Sequence, residues 1–159
     1  FYDNDLRVAK AGMGEWLVYT DGSAKAGGPG GWGFVLKPFR GAPVEGYGKA
    51  ADTIAKVMEY RAVAEAITAL PDGASALVFS DNMSLVENLA RKLDIWRQND
   101  FKKVDPLVVA DVRRIAEAIE AKNLRLRWQW VKSHNGNAGN ERADALAAQG
   151  AREAKSESR

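Results

Sequence analysis

The stretch that decides the fold is Trp128–Ala147, WQWVKSHNGNAGNERADALA, which reads as the end of a strand, a loop and the start of a helix. The strand pattern begins at Leu124: apolar and polar side chains alternate through Val131, with Leu124, Leu126, Trp128 and Trp130 on one face. Asn135 to Gly139 cannot prolong it, since glycine and asparagine favour turns and positive φ. Asn140 is then placed to cap a helix that carries Glu141 and Asp144 in its first turn and runs on through Ala145, Leu146, Ala147 and Ala148. In the loop sits His134, the one histidine of the 159 residues. Asp144 alone needs no function, because a carboxylate near a helix N-terminus offsets the dipole.

Working outward, the spacing predicts a body from Glu15 to Gly150, with polar, aperiodic ends over 1–14 and 151–159 that should fray. Trp16–Thr20 reads as a short strand stopped by a turn at Asp21-Gly22-Ser23. Gly27-Gly28-Pro29-Gly30-Gly31 reads as a hairpin connection leading to strands at Trp32–Lys37 and near Val44–Ala50. It is no phosphate-binding loop, since neither a Gly-Lys-Ser/Thr ending nor a helix follows. Ile54 to Leu70 has helical spacing and stops at Pro71-Asp72-Gly73. Ala76–Ser80 is a buried strand, Ser84–Leu93 is helical, and Pro106 opens a further helix that ends near Asn123. The order is three strands, helix, strand, helices, strand, helix. It implies an α/β fold: a five-stranded mixed sheet of three antiparallel strands and two more joined by helical crossovers, flanked by helices.

The length suits one domain, and 46% apolar residues suit a globular chain with a sizeable core. No cysteine is present, so disulfides and thiolate metal sites are excluded and any metal must be held by oxygen or histidine. No apolar run is long enough to span a bilayer and no signal-peptide pattern is visible, so a cytoplasmic protein is expected. The first residue is Phe1 rather than Met, which leaves open a trimmed or partial product. The net charge is only +2, but it is unevenly spread. Arg91 to Lys103 holds five bases against two acids, and Arg113 to Lys132 six against two. Each segment is either a solvated face or the footprint of a polyanionic partner.

Three acids share a positional logic. Asp21 ends the first strand, Asp81 ends the fourth, and Asp144 begins the helix after the fifth, while Glu59 joins from the helix between strands three and four. Carboxylates brought to one sheet edge repel unless cations neutralise them, and an all-oxygen set favours magnesium or manganese. A pair of such ions can activate water and stabilise a leaving oxygen in phosphodiester displacement, which would give the basic segments a use.

At this point the sequence resembles ribonuclease H type 1. Tyr19-Thr20-Asp21-Gly22-Ser23, Met58-Glu59, Ser80-Asp81, Trp130-Val131-Lys132-Ser133-His134 and Gly139-Asn140-Glu141-Arg142-Ala143-Asp144 follow that family's motifs in order, from Trp16 to about Gly150. The resemblance implies the ribonuclease H-like fold over 15–150. It implies an endonuclease that hydrolyses the RNA strand of RNA–DNA hybrids by two-metal-ion catalysis, giving 5′-phosphate and 3′-hydroxyl ends. Two Mg2+ ions, with Mn2+ able to substitute, would lie on Asp21, Glu59, Asp81 and Asp144. Asp21 would bridge both ions, and Asp144 would complete the site of the one that activates water. Glu59 and Asp81 would hold the ion at the leaving oxygen, and Glu59 would also meet the ribose 2′-hydroxyl that distinguishes RNA from DNA. His134 would assist product release. The segment 91–103 resembles the basic protrusion that grips the DNA strand. Lys92, Trp96, Arg97, Phe101, Lys102 and Lys103 would bind there, with Gly22, Ser23 and Lys56 nearer the cut. Trp96 and Phe101 could equally pin the protrusion's own fold. Trp32, Trp128 and Trp130 are expected in the core, and the protein is expected to be monomeric.

The chain departs from the family pattern where the hybrid is gripped. Gly27 and Gly28 stand where an asparagine is usual, Ile54-Ala55-Lys56 where Thr-Asn-Asn is common, and Asn82-Met83 where Ser-Gln is common. We therefore expect Lys56 to replace directed amide contacts with a phosphate contact. Two other functions stay open on this fold: a structure-specific DNA nuclease or strand-transfer enzyme, and a hybrid-binding module without catalysis.

Overall fold

A computed structural model of the chain describes residues 14–133 and 135–157. Five strands, β1 (Trp16–Ala24), β2 (Gly28–Lys37), β3 (Val44–Thr53), β4 (Ser75–Ser80) and β5 (Arg125–Trp130), form one sheet in the order β3-β2-β1-β4-β5. β1, β2 and β3 pair antiparallel, while β4 lies parallel to β1 and β5 parallel to β4. The helices are α1 (Ala55–Ala69), α2 (Met83–Arg91), α3 (Leu93–Gln98), α4 (Val109–Ala121) and α5 (Ala138–Glu157). This is the mixed sheet expected from the element order.

Alternation along the strands divides the core in two. On one face Val18, Phe34, Leu36, Ala76 and Val78 pack with Val63 and Ile67 of α1, Leu85 and Leu89 of α2, and Val112 and Ile115 of α4. Leu126, Trp128, Trp130 and Trp32 lie partly buried against this layer, as their periodicity predicts. On the other face Tyr19, Val35, Leu77 and Phe79 meet Ala143 and Leu146 of α5, with the Tyr19 and Phe79 rings stacked 4.8 Å apart.

Five local expectations need correction. Asp21-Gly22-Ser23 is not a turn: β1 runs on to Ala24, with Asp21 opposite Gly33 and Ser23 opposite Gly31. The hairpin connection shrinks to the residues before Gly28, and Gly28, Gly30 and Gly31 belong to β2. At Gly30 and Gly31 the missing Cβ serves close packing rather than chain reversal. Pro106 sits in a turn fixed by Leu107 N–H donating to Asp105 Oδ1 at 2.9 Å, and α4 begins only at Val109. The residue capping α5 is Asn137, which is fully buried and accepts from Asn140 N–H at 2.8 Å, so the helix begins ahead of Asn140. Finally, 151–157 do not fray. They continue α5 to Glu157, with Ala154 buried and Glu153 accepting from the Tyr47 hydroxyl at 2.7 Å. Residues 1–13, most of the expected N-terminal tail, lie outside the described residues. No helix among the described residues is long and apolar enough to cross a membrane.

Candidate active site

The site starts from one glycine. Gly22 faces α1 so closely that a Cβ there would lie 2.4 Å from the backbone N of Glu59 and 2.4 Å from the carbonyl carbon of Met58. Only glycine lets the helix come down on the strand at this point. The Gly22 N–H then donates to Asp21 Oδ1 at 2.9 Å and to Glu59 Oε1 at 2.8 Å, holding two carboxylates with a single donor. That donor is spent on them, so Gly22 positions both carboxylates.

Asp81 arrives from the end of β4. Its carbonyl accepts from the Trp130 indole N–H at 3.1 Å, and the next residue, Asn82, caps α2 by accepting from Leu85 N–H at 3.1 Å. The sequence reading gave Trp130 only a packing role; its indole also tethers the strand end that carries Asp81. Asp21, Glu59 and Asp81 each bring a carboxylate oxygen within 4.8 Å of the others. Asp144, half-buried in α5, lies within hydrogen-bonding reach of Asp21 from the opposite layer. It sits one turn further into its helix than expected, where dipole compensation fades, so the electrostatic explanation of Asp144 weakens.

The electrostatics of this group are those of a cation site. Burial, then the hydrogen bond and charge of Glu59, then Asp81 and Asp144 all push the Asp21 carboxyl far above the ordinary range. Burial and the Asp81 charge likewise raise Glu59, against the lowering effect of Asp21, Gly22 N–H and the Asn82 amide. Glu59 Oε2 is buried with no donor among the described residues to satisfy it. Two things can: a proton shared with Asp21, or a cation. The donors are all oxygen, which suits a hard divalent ion such as Mg2+ or Mn2+. The residues therefore fit the metal implied by their spacing.

Beside the carboxylates a cleft of about 470 Å³ is lined by Ala55, Lys56, Glu59, Tyr60, Asp81, Asn82 and Ser84. A second cleft of about 370 Å³ shares Lys56 and Tyr60 with it and continues past Lys92, Trp96 and Lys103. The structure thus joins four of the expected binding residues in one path from the carboxylates to the protrusion. Lys56 enters it paired with Asp105 at 2.8 Å. Lys102 is exposed but does not line the path, and Arg97 lies 3.8 Å from Glu120. Phe101 is a correction: it is buried, follows Asp100 through a left-handed turn at φ 61°, and carries the Arg113 guanidinium 4.7 Å over its ring. It pins the protrusion rather than meeting a substrate. His134 lies outside the described residues.

The sequence profile of the RNase H family matches residues 13–152, across the whole constellation just described. The chain belongs to the RNase H family. A ribonuclease H of Cupriavidus metallidurans is 36% identical over 141 residues, covering 87% of this chain and 96% of that one. Among solved structures, LC9-RNase H1, described as a type 1 RNase H with the type 2 active-site motif, superposes with a TM-score of 0.74. It is 23% identical, over 91% of this chain and 75% of that chain. LC11-RNase H1, solved in complex with an RNA/DNA hybrid, superposes at 0.68 with 23% identity, over 88% and 99%. At that identity the two structures speak for the RNase H fold, and the five-stranded sheet described above is that fold. Within the family, the Asp-Gly-Ser motif acquires a local physical reason: the glycine is the seat of α1.

Proposed function

We propose that this chain hydrolyses the RNA strand of RNA–DNA hybrids, leaving 5′-phosphate and 3′-hydroxyl ends, with two divalent ions, Mg2+ or Mn2+, on its carboxylates. The observation that carries the reading is the convergence of Asp21, Glu59 and Asp81 at one sheet edge, with Asp144 reaching Asp21 from the other layer. When bound, the ions supply an activated water and positive charge opposite the leaving oxygen. Asp21, central to the four, would be the ligand that helps hold both ions. Asp144 completes the α5 side, and Glu59 and Asp81 the side of the cleft. Glu59 lines that cleft, which supports its meeting the 2′-hydroxyl of the ribose. Lys56, Lys92, Trp96 and Lys103 line the path that we assign to the DNA strand, and His134 would act in product release. The LC11 complex supports hybrid as the substrate at the level of the shared fold. All four carboxylates come from one chain, which supports a monomer as the working unit, and the absence of cysteine suits the cytoplasm.

The test is to incubate labelled hybrid, duplex DNA and duplex RNA with the protein and Mg2+, and to identify the cut strand and its ends. Cleavage of the RNA strand of the hybrid alone, with 5′-phosphate products, is expected. Cutting of DNA would instead favour the structure-specific nuclease, and tight binding without cutting the hybrid-binding module.

A further inference from the structure

Sharing no residue with the two clefts above, the β1–β2 hairpin and the last turns of α5 enclose a pocket of about 390 Å³ lined by Ser23, Ala24, Lys25, Pro29, Ala151, Arg152 and Lys155. No acid among the described residues lines it, although α5 carries two acids in this region. The helix sorts its charges by face. Glu153 and Glu157 turn to β3, where Tyr47 and Lys49 hold them. Arg152 and Lys155, three apart and so on one face, turn to the hairpin. Neither Lys25 nor Arg152 has an ion-pair partner among the described residues. Lys25 is not on a loose loop: its carbonyl accepts from Gly28 N–H at 2.8 Å, and Gly27 N–H donates to Thr53 O at 3.1 Å. The floor is apolar, from Ala24, Pro29 and Ala151, and the rim is cationic with one hydroxyl. That combination suits a sugar face with its phosphate rather than a free inorganic anion.

Position decides which strand. Arg152 lies eight residues along α5 from Asp144, and Lys25, the residue after β1, four from Asp21. Both counts put the pocket roughly 12–13 Å from the carboxylates. A nucleic-acid strand advances about 3.4 Å of helix axis per phosphate, so the pocket meets a strand three to four nucleotides from the cut. The protrusion path runs past Lys56, Lys92, Trp96 and Lys103 and shares no lining residue with this pocket.

We propose that Lys25, Arg152 and Lys155 form an anchor for the cut RNA strand, holding its backbone about three to four nucleotides from the scissile bond. The anchor rests on the hybrid-cleaving function proposed above.

The test pairs Lys25→Ala with Arg152→Ala in one protein, both sites being exposed and outside the core. Two lost phosphate contacts lower the salt slope by about two, so the fall in hybrid affinity between 50 and 200 mM salt should shrink about tenfold relative to the wild type. The same comparison is run on hybrids with a full DNA strand whose RNA is trimmed to two nucleotides on one or the other side of the cut. One trimmed hybrid should show no difference between variant and wild type. The strand is read directly by placing a photo-crosslinker on Lys25→Cys, which is then the one thiol of a cysteine-free sequence. Crosslinking to RNA is expected. An unchanged slope, an equal effect on all hybrids, or crosslinking to DNA each overturns the anchor. A wild-type protein that leaves the RNA strand intact overturns the proposed function, and the anchor with it.

Discussion

Gly22 and Asp21 carry the chemistry at the residue scale, and each gives a sharp expectation. A methyl group at Gly22 meets backbone atoms that cannot swing aside, so Gly22→Ala must push α1 off β1 and take Glu59 with it. We expect a loss of about 1–3 kcal/mol in denaturant melts, the usual range for overpacking. Mg2+-dependent cleavage should fall far more than that destabilisation explains. Asp21→Asn acts differently. Its amide imitates the protonated acid and can donate to Glu59 Oε2, the buried oxygen that lacks a donor. The metal-free variant should therefore melt no lower than the wild type, while cleavage is abolished because a shared anionic ligand is gone. Substantial Mg2+-dependent cleavage by purified Asp21→Asn protein would reject the assignment of this site.

The element that decides whether the site closes is α5, because Asp144 reaches Asp21 only if the helix lies almost on the sheet. It does so over glycines. A Cβ on Gly33, the residue directly opposite Asp21, would lie 2.7 Å from Ala143 O and 2.8 Å from Ala147 N. A Cβ on Gly150 would lie 2.1 Å from Gly48 O. Gly33→Ala should thus cost about 1–3 kcal/mol and displace Asp144. Its activity loss should exceed that of Ile115→Val, a core change in the far layer worth about 0.5–1.5 kcal/mol, when both are compared at equal fraction folded. Equal losses would mean that α5 has no special hold on the site. These glycines also explain what the sequence could and could not convey. The strand and helix periods, the order of elements and the carboxylate spacing were all legible, since they depend on local pattern. The role of glycine was not: Asp21-Gly22-Ser23 and Gly28 to Gly31 look like turns by composition, and only the partners packed above Gly22, Gly30 and Gly31 show that the missing Cβ serves close approach. Asn137 and Asn140 are equally good caps on paper, and the hydrogen bond that Asn137 Oδ1 accepts from Asn140 N–H chooses between them. Phe101 among bases looks like a stacking platform until the left-handed turn at Asp100 and Phe101 carries its ring inward.

For the whole molecule, folding and ion binding are linked through protons. Asp21 and Glu59 are both raised in the folded state, by burial first. A carboxyl raised on folding contributes stability that is fully present below its unfolded value, about 4, and is lost as pH rises through the folded value. The metal-free protein should therefore lose stability from about pH 4 upward, with Glu59 lost around its folded value of about 6. Glu45, Asp105 and Glu153 are lowered by Arg142, Lys56 and Tyr47 respectively, and work in the opposite sense on the acid side. They are exposed, so their effect is small and screened by salt. A divalent ion competes with protons for the same oxygens, and binding the folded state alone stabilises it by mass action. The rise in melting temperature on adding Mg2+ should accordingly be small at pH 5 and large at pH 8, measured against EDTA in the same buffer. In Asp21→Asn protein the rise should be weak at both values, and the metal-free stability should decline less between them. A wild-type increment that is equal at the two pH values would separate ion binding from these carboxyls and place the ion elsewhere on the chain.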